Sequence, residues 1–98
     1  MALSPRVPFD PLNISRAPTE HGVYLLWDGE ELIYIGRPTG RTATIQTLLS
    51  EHYSGGLGAC TQKATHYCFE ISSYPATRQQ ELLEEFRAAH KRPPRCQD

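Results

Sequence analysis

The sequence lacks an excess of charge of either sign, and it lacks any long run of apolar residues. Its formal net charge is -1, with 10 Lys and Arg against 11 Asp and Glu. A dedicated nucleic-acid binder often carries a strong basic excess, so this balance does not favour that class. No segment approaches the ~20 apolar residues of a membrane helix. Residues 1–11 contain no apolar stretch typical of a secretory signal.

Cysteines are also few: Cys60, Cys68 and Cys96. An odd number without a secretory signal predicts reduced thiols in a cytoplasmic protein. His66 and Cys68 fall on one face of a predicted strand. With the other two cysteines they make four possible zinc ligands. Their spacing matches no familiar zinc motif, so a buried Cys68 beside an incidental histidine is the preferred interpretation.

The chain of 98 residues, 39% of them hydrophobic, suits one small domain. Residues 1–20 contain four prolines whose spacing forbids a long helix, namely Pro5, Pro8, Pro11 and Pro18. We therefore predict an extended arm over residues 1–20, pinned through Phe9, Leu12 and Ile14 to a domain of residues 21–98. Charged residues cluster locally along the sequence, so a phosphate-binding surface is possible even on a near-neutral molecule.

The predicted elements form an α/β (α+β) fold in the order β-β-α-β-α, with a small three-stranded, mainly antiparallel sheet flanked by helices. Strands are predicted over residues 22–27, 31–36 and 65–72, with a tight turn between the first two. A first helix over residues 42–53 carries the apolar stripe Ile45, Leu48, Leu49 and His52. A second helix begins at Pro75, since proline suits the first helical turn.

Two tripeptides in the first hairpin carry a resemblance to a known family. The first strand holds Gly22-Val23-Tyr24, and the second holds Tyr34-Ile35-Gly36. The tail contains Pro94-Arg95-Cys96-Gln97. Together with the order of elements, these motifs resemble the GIY-YIG nuclease superfamily over roughly residues 22–97.

The resemblance implies a metal-dependent DNA endonuclease in which one Mg²⁺ or Mn²⁺ assists attack of water on a phosphate. The family site combines two tyrosines, a helix arginine, a His or Tyr one turn later, a glutamate in the second helix and a late asparagine. DNA would be the substrate, and a protein partner could supply the sequence specificity that so small a chain lacks.

The two motif tyrosines match Tyr24 and Tyr34, and such a site needs them on one face of the sheet. A three-residue turn would set Trp27 opposite Glu31 and Tyr24 opposite Tyr34. A two-residue Asp28-Gly29 turn would instead separate the two rings. Gly36 is interpreted as a strand terminator, as a point of close backbone approach, or as both.

His52 matches the family histidine, and a core histidine held by hydrogen bonds is the alternative. The helix arginine would then fall at Leu48, an uncharged residue that cannot stabilise a phosphate. Arg37 or Arg41 is a possible substitute from the preceding loop, and solvated loop charges are the other interpretation of both.

The resemblance implies a metal-binding glutamate in the second helix. Glu85 is the candidate, because it flanks the apolar face that carries Leu82 and Phe86. The alternative is an ordinary solvated acid. Gln97 replaces the family asparagine with a side chain one methylene longer. Two functions are carried forward: an endonuclease weakened by Leu48, and a catalytically inactive module that binds nucleic acid or a protein partner.

Overall fold

The computed structural model describes residues 3–97, which form four helices and four strands. In chain order these are β1 (Val7–Pro8), α1 (Pro11–Ser15), β2 (Gly22–Asp28), β3 (Glu31–Gly36), α2 (Ile45–Ser54), α3 (Ala59–Gln62), β4 (His66–Ile71) and α4 (Pro75–His90). The fold is α+β, as predicted. None of these helices combines the length and apolar character needed to cross a bilayer.

The sheet is antiparallel and has four strands, in the order β1-β4-β2-β3, where three were predicted. The additional strand comes from the arm, where Val7 pairs with Tyr67 and Pro8 with His66. The arm is therefore not simply extended, because it also forms α1 behind the Asp10 N-cap, with Pro11 in the first turn. A short helix tolerates proline there, since the first N–H groups lack helical partners.

The arm packs into the same core as the rest of the chain. Phe9 and Ile14 are buried, as predicted. Leu12 is 59% exposed, so its predicted anchoring role is wrong. It lies on the outer side of α1, while Ile14 faces the body of the protein.

The hairpin register differs from both predicted alternatives. Asp28 pairs with Glu31 around a two-residue Gly29-Glu30 turn, and the register then shifts between Leu26 and Trp27. Beyond this bulge Leu26 pairs with Tyr34. A bulge adds one residue to one strand, which restores the face that the tight turn would have lost.

The sheet separates two apolar clusters, so the hairpin is covered on both faces. The cluster beneath α2 and the arm, here called the α2 face, includes Tyr24, Leu26, Ile33, Ile45 and Leu49. The cluster beneath α4, the α4 face, includes Val23, Leu25, Ile35, Leu82 and Phe86. Alternate residues of β2 therefore belong to opposite sides of the molecule.

The predicted helices are confirmed with adjusted ends. α2 begins at Ile45 behind the Thr44 N-cap, which forms a capping box with Thr47, and it ends at Gly55 with φ 87°. α4 begins at Pro75 as predicted. One further turn of helix, α3, lies between α2 and β4, where no element was predicted.

Cys60 and Cys96 form a disulfide with a Cα–Cα distance of 5.7 Å, so the prediction of reduced thiols is wrong for this pair. The two cysteines are 36 positions apart, and they meet because the C-terminal segment runs along the outer edge of β3. Cys68 is free and buried, as the preferred interpretation required.

Candidate functional site

Tyr24, Tyr34 and His52 meet on the α2 face, and with Thr61 they are here called the tyrosine cluster. The ring centroids are 6.1 Å apart for Tyr24 and Tyr34, 5.5 Å for Tyr24 and His52, and 5.0 Å for Tyr34 and His52. Tyr24 lies opposite Gly36 rather than Tyr34, so the predicted pairing is wrong while the shared face is correct.

A chain of short hydrogen bonds runs through the tyrosine cluster. Tyr24 Oη lies 2.8 Å from His52 Nε2, and His52 Nδ1 lies 2.7 Å from Thr61 Oγ1. Tyr24 and His52 are each 1% exposed. A neutral imidazole donates through one nitrogen and accepts through the other, and each hydroxyl can take either role. Both ring nitrogens are therefore satisfied in the interior.

Thr61 was missed by the sequence analysis. It is buried, although it lies on α3, in a segment where no element was predicted. No local pattern distinguishes it from a solvated threonine, because its partner His52 is on another helix.

Burial determines the charge state of the cluster. It lowers the pKa of His52 to about 4, so the imidazole is neutral at pH 7. Burial, followed by the neighbouring Tyr34, raises the pKa of Tyr24 well above its usual value. The negative charge of the nearby Glu51 carboxylate raises the pKa of Tyr24 further, by a smaller amount. Tyr24 is therefore a neutral phenol and a poor source of phenolate.

Gly36 makes the contact between the tyrosines possible. A Cβ atom there would lie 2.5 Å from Tyr24 Cζ and 2.6 Å from Tyr34 Cε2. Such separations do not occur between real carbon atoms, so both rings occupy the space that a side chain would need. The predicted close backbone approach at Gly36 is thus a contact with the site's own tyrosines.

Leu48 stands at the position to which the resemblance would assign an arginine. Leu48 is partly buried against the α2-face core, in agreement with its interpretation as a packing residue. Arg37 donates from Nε to Gln79 Oε1 on α4 at 3.0 Å, so it is neither a solvated charge nor a substitute in the cluster. Arg41 is exposed in the loop after β3.

Glu85 lies apart from the tyrosine cluster. It is exposed, and it borders a shallow pocket lined by Leu25, Ile35 and other residues of the α4 face. The sheet thus lies between its carboxylate and the tyrosine rings. Within residues 3–97 no three His, Cys, Asp or Glu side chains are grouped as a metal site requires. The donor set does not fit a cation held together with the tyrosines.

Gln97 acts as an edge partner of β3. Its Oε1 accepts from the Ile35 N–H at 2.8 Å, and its Nε2 donates to the Ile35 carbonyl at 2.8 Å. Gln79 Nε2 donates to the same carbonyl at 3.0 Å. The amide therefore satisfies backbone groups at an open sheet edge, a role that neither a catalytic nor a solvated glutamine has.

The basic tail is paired with the acidic hairpin turn. Arg95 lies 2.9 Å from both Asp28 and Glu31, and Arg92 lies 3.8 Å from Glu31. These exposed pairs contribute little to stability. They nevertheless reduce the positive charge that the tail offers to a phosphate backbone.

Comparison of the chain with protein-family models, curated proteins and solved structures found no significant match. The family resemblance therefore depends on the sequence motifs alone, chiefly on the paired tripeptides.

We expect Gly36→Ala to disrupt the tyrosine cluster, because its Cβ would collide with both rings. The loss in free energy of unfolding should be about 1–3 kcal/mol, as for other overpacked sites. Urea unfolding and the near-UV signal of tyrosine would measure it. Gly56→Ala is the control, since its Cβ would have no contact closer than 3.5 Å. Equal stability of the two variants would contradict the crowding.

Stability should fall with acidification because of His52. Its folded-state pKa of about 4 lies below the ordinary 6.5, so the unfolded chain binds more protons within this window. The free energy of unfolding should be unaffected above pH ~6.5 and should lose up to roughly 3 kcal/mol by pH ~4.

Urea unfolding at a series of pH values would measure the loss. His52→Gln should flatten this dependence, whereas His21→Gln, at an exposed position, should leave it unchanged. An identical pH slope in both variants would rule out His52 as the cause.

Proposed function

We propose that this chain is a GIY-YIG-like module that binds DNA through the tyrosine cluster, and that its phosphodiester cleavage is weak or lost. The observation that supports this most directly is the separation of the candidate catalytic groups. Two tyrosines and a histidine lie on the α2 face, while Glu85 borders the α4 face and Leu48 replaces a charged residue.

Tyr34 is the member of the tyrosine cluster that is suited to contact DNA. It is half-buried, whereas Tyr24 and His52 are shielded from water and serve to hold its ring. A held phenol can stack on an unpaired base or donate to a phosphate oxygen. Arg41, exposed on the loop after β3, adds a positive charge for the backbone.

The near-neutral charge makes single-stranded or branched DNA the better substrate class. Duplex binding without base readout depends chiefly on many phosphate contacts, and several of this chain's arginines are already engaged. Stacking on exposed bases requires fewer charges.

We expect Tyr34→Ala to weaken binding of a labelled single strand by about tenfold, the usual contribution of one stacking ring. Fluorescence anisotropy at several salt concentrations would measure the dissociation constants. Tyr74→Ala is the matched control, since Tyr74 is exposed at the start of α4. Binding that is lost equally in both variants, or absent in the parent at low salt, would argue against the proposal.

A weak phosphodiesterase is the second candidate, and the 2.8 Å contact between Tyr24 and His52 favours it. A neutral imidazole held against a hydroxyl is the arrangement in which a proton can move from phenol to nitrogen. The low pKa of His52 limits its strength as a base. Slow cleavage is therefore the most that this pair supports.

We expect Leu48→Arg to raise any cleavage of DNA, because it restores positive charge beside the tyrosine cluster. One electrostatic group of this kind changes rates by about 10²–10³-fold. Nicking of single-stranded, branched and duplex DNA with Mg²⁺ or Mn²⁺ is the assay, with Tyr24→Phe and Glu85→Ala as comparisons. Activity that neither substitution alters would exclude this mechanism and leave the binding module.

A further inference from the structure

The Cys60–Cys96 disulfide connects two segments beside the tyrosine cluster. Cys60 directly precedes Thr61, whose hydroxyl bonds to His52. Cys96 is 7% exposed and packs within the same core as Tyr24 and Ile33. The cross-link therefore joins the segment that carries Thr61 to the edge of the sheet that carries the cluster.

The C-terminal end of this link is firmly held without the disulfide. The Cys96 N–H donates to the Ile33 carbonyl at 2.8 Å, and the next residue, Gln97, bonds to both backbone groups of Ile35. Cys96 lies in a turn that is bonded to the edge strand β3, so it is the fixed point of the pair.

The other end is weakly held. α3 has one turn, no side-chain N-cap among the described residues, and three exposed residues: Ala59, Cys60 and Gln62. Gln62 Nε2 donates to the Tyr53 carbonyl at a long 3.4 Å. Two glycines precede α3, Gly55 and Gly58, and both have positive φ. Glycine restricts the backbone less than any other residue, so this connection opposes a change in the position of α3 only weakly.

We propose that the disulfide holds Thr61 against His52, so that thiol reductants alter the hydrogen bonding of the tyrosine cluster without unfolding the domain. Thr61 is a positioning residue: it touches neither DNA nor a reacting group, and it orients the imidazole that touches Tyr24. This inference does not depend on DNA binding or cleavage.

The chemistry is ordinary thiol–disulfide exchange with a dithiol. One reductant thiolate attacks Cys60, the exposed partner, and Cys96 leaves as a thiolate that takes a proton from water. The second reductant thiol then displaces the sulfur of Cys60. Two electrons and two protons pass to the protein, and the reductant becomes a cyclic disulfide.

Histidine-labelled protein, observed by NMR before and after addition of dithiothreitol, tests the proposal. Alkylation and mass spectrometry would report the state of Cys60 and Cys96. We expect the ring-nitrogen shifts of His52 to change on reduction while those of His21 and His90 stay constant. Thr61→Val in the oxidised chain should reproduce the change at His52, because it removes the same hydroxyl.

The double variant Cys60→Ser and Cys96→Ser is the matched control. Its His52 signals should resemble those of the reduced parent and should not respond to the reductant. Unchanged His52 signals after full reduction would overturn the proposal, since α3 would then be held by its own contacts. Global unfolding on reduction, or free thiols at both Cys60 and Cys96 in the air-oxidised protein, would overturn it equally.

Discussion

The buried hydrogen-bonded chain from Tyr24 through His52 to Thr61 is the constraint on which the tyrosine cluster depends. Burying any of these polar groups without a hydrogen-bond partner would cost free energy. Each group is instead hydrogen-bonded to its neighbour in the chain. The chain joins β2, α2 and α3, which are otherwise connected mainly by apolar contacts. It also fixes the surroundings of Tyr34, because the Tyr34 ring packs against Tyr24 and His52.

The two faces of the sheet carry side chains of different chemical character. The α2 face has neutral hydroxyl and imidazole groups, with the Glu51 carboxylate near Tyr24. The α4 face has ionic groups, among them the buried Glu70, which is paired with Arg78 at 2.9 Å, and the exposed Glu85. A phosphate on the tyrosine side would meet hydrogen-bond donors and few cations, which agrees better with recognition than with cleavage.

Much of the candidate site could be anticipated, though for reasons that were only partly right. Tyr24 and Tyr34 share a face because a two-residue Gly29-Glu30 turn and a bulge compensate each other. The prediction from the sequence linked the shared face to a three-residue turn, and separated rings to a two-residue Asp28-Gly29 turn. Glu85 could be placed correctly around its own helix, beside Leu82 and Phe86. A helical wheel does not reveal which side of the sheet that helix covers, and this decided that Glu85 lies away from the tyrosines.

The sequence alone determined what depends on neighbours along the chain. Short apolar and aromatic runs bounded by turn residues specified the three long strands, and Pro75 specified the start of α4. Tertiary structure decided what depends on distant partners: the edge strand at Val7, the Cys60–Cys96 disulfide and the role of Thr61. Hydrogen-bond and disulfide partners are determined by which groups lie close together after folding. No local sequence pattern indicates that proximity.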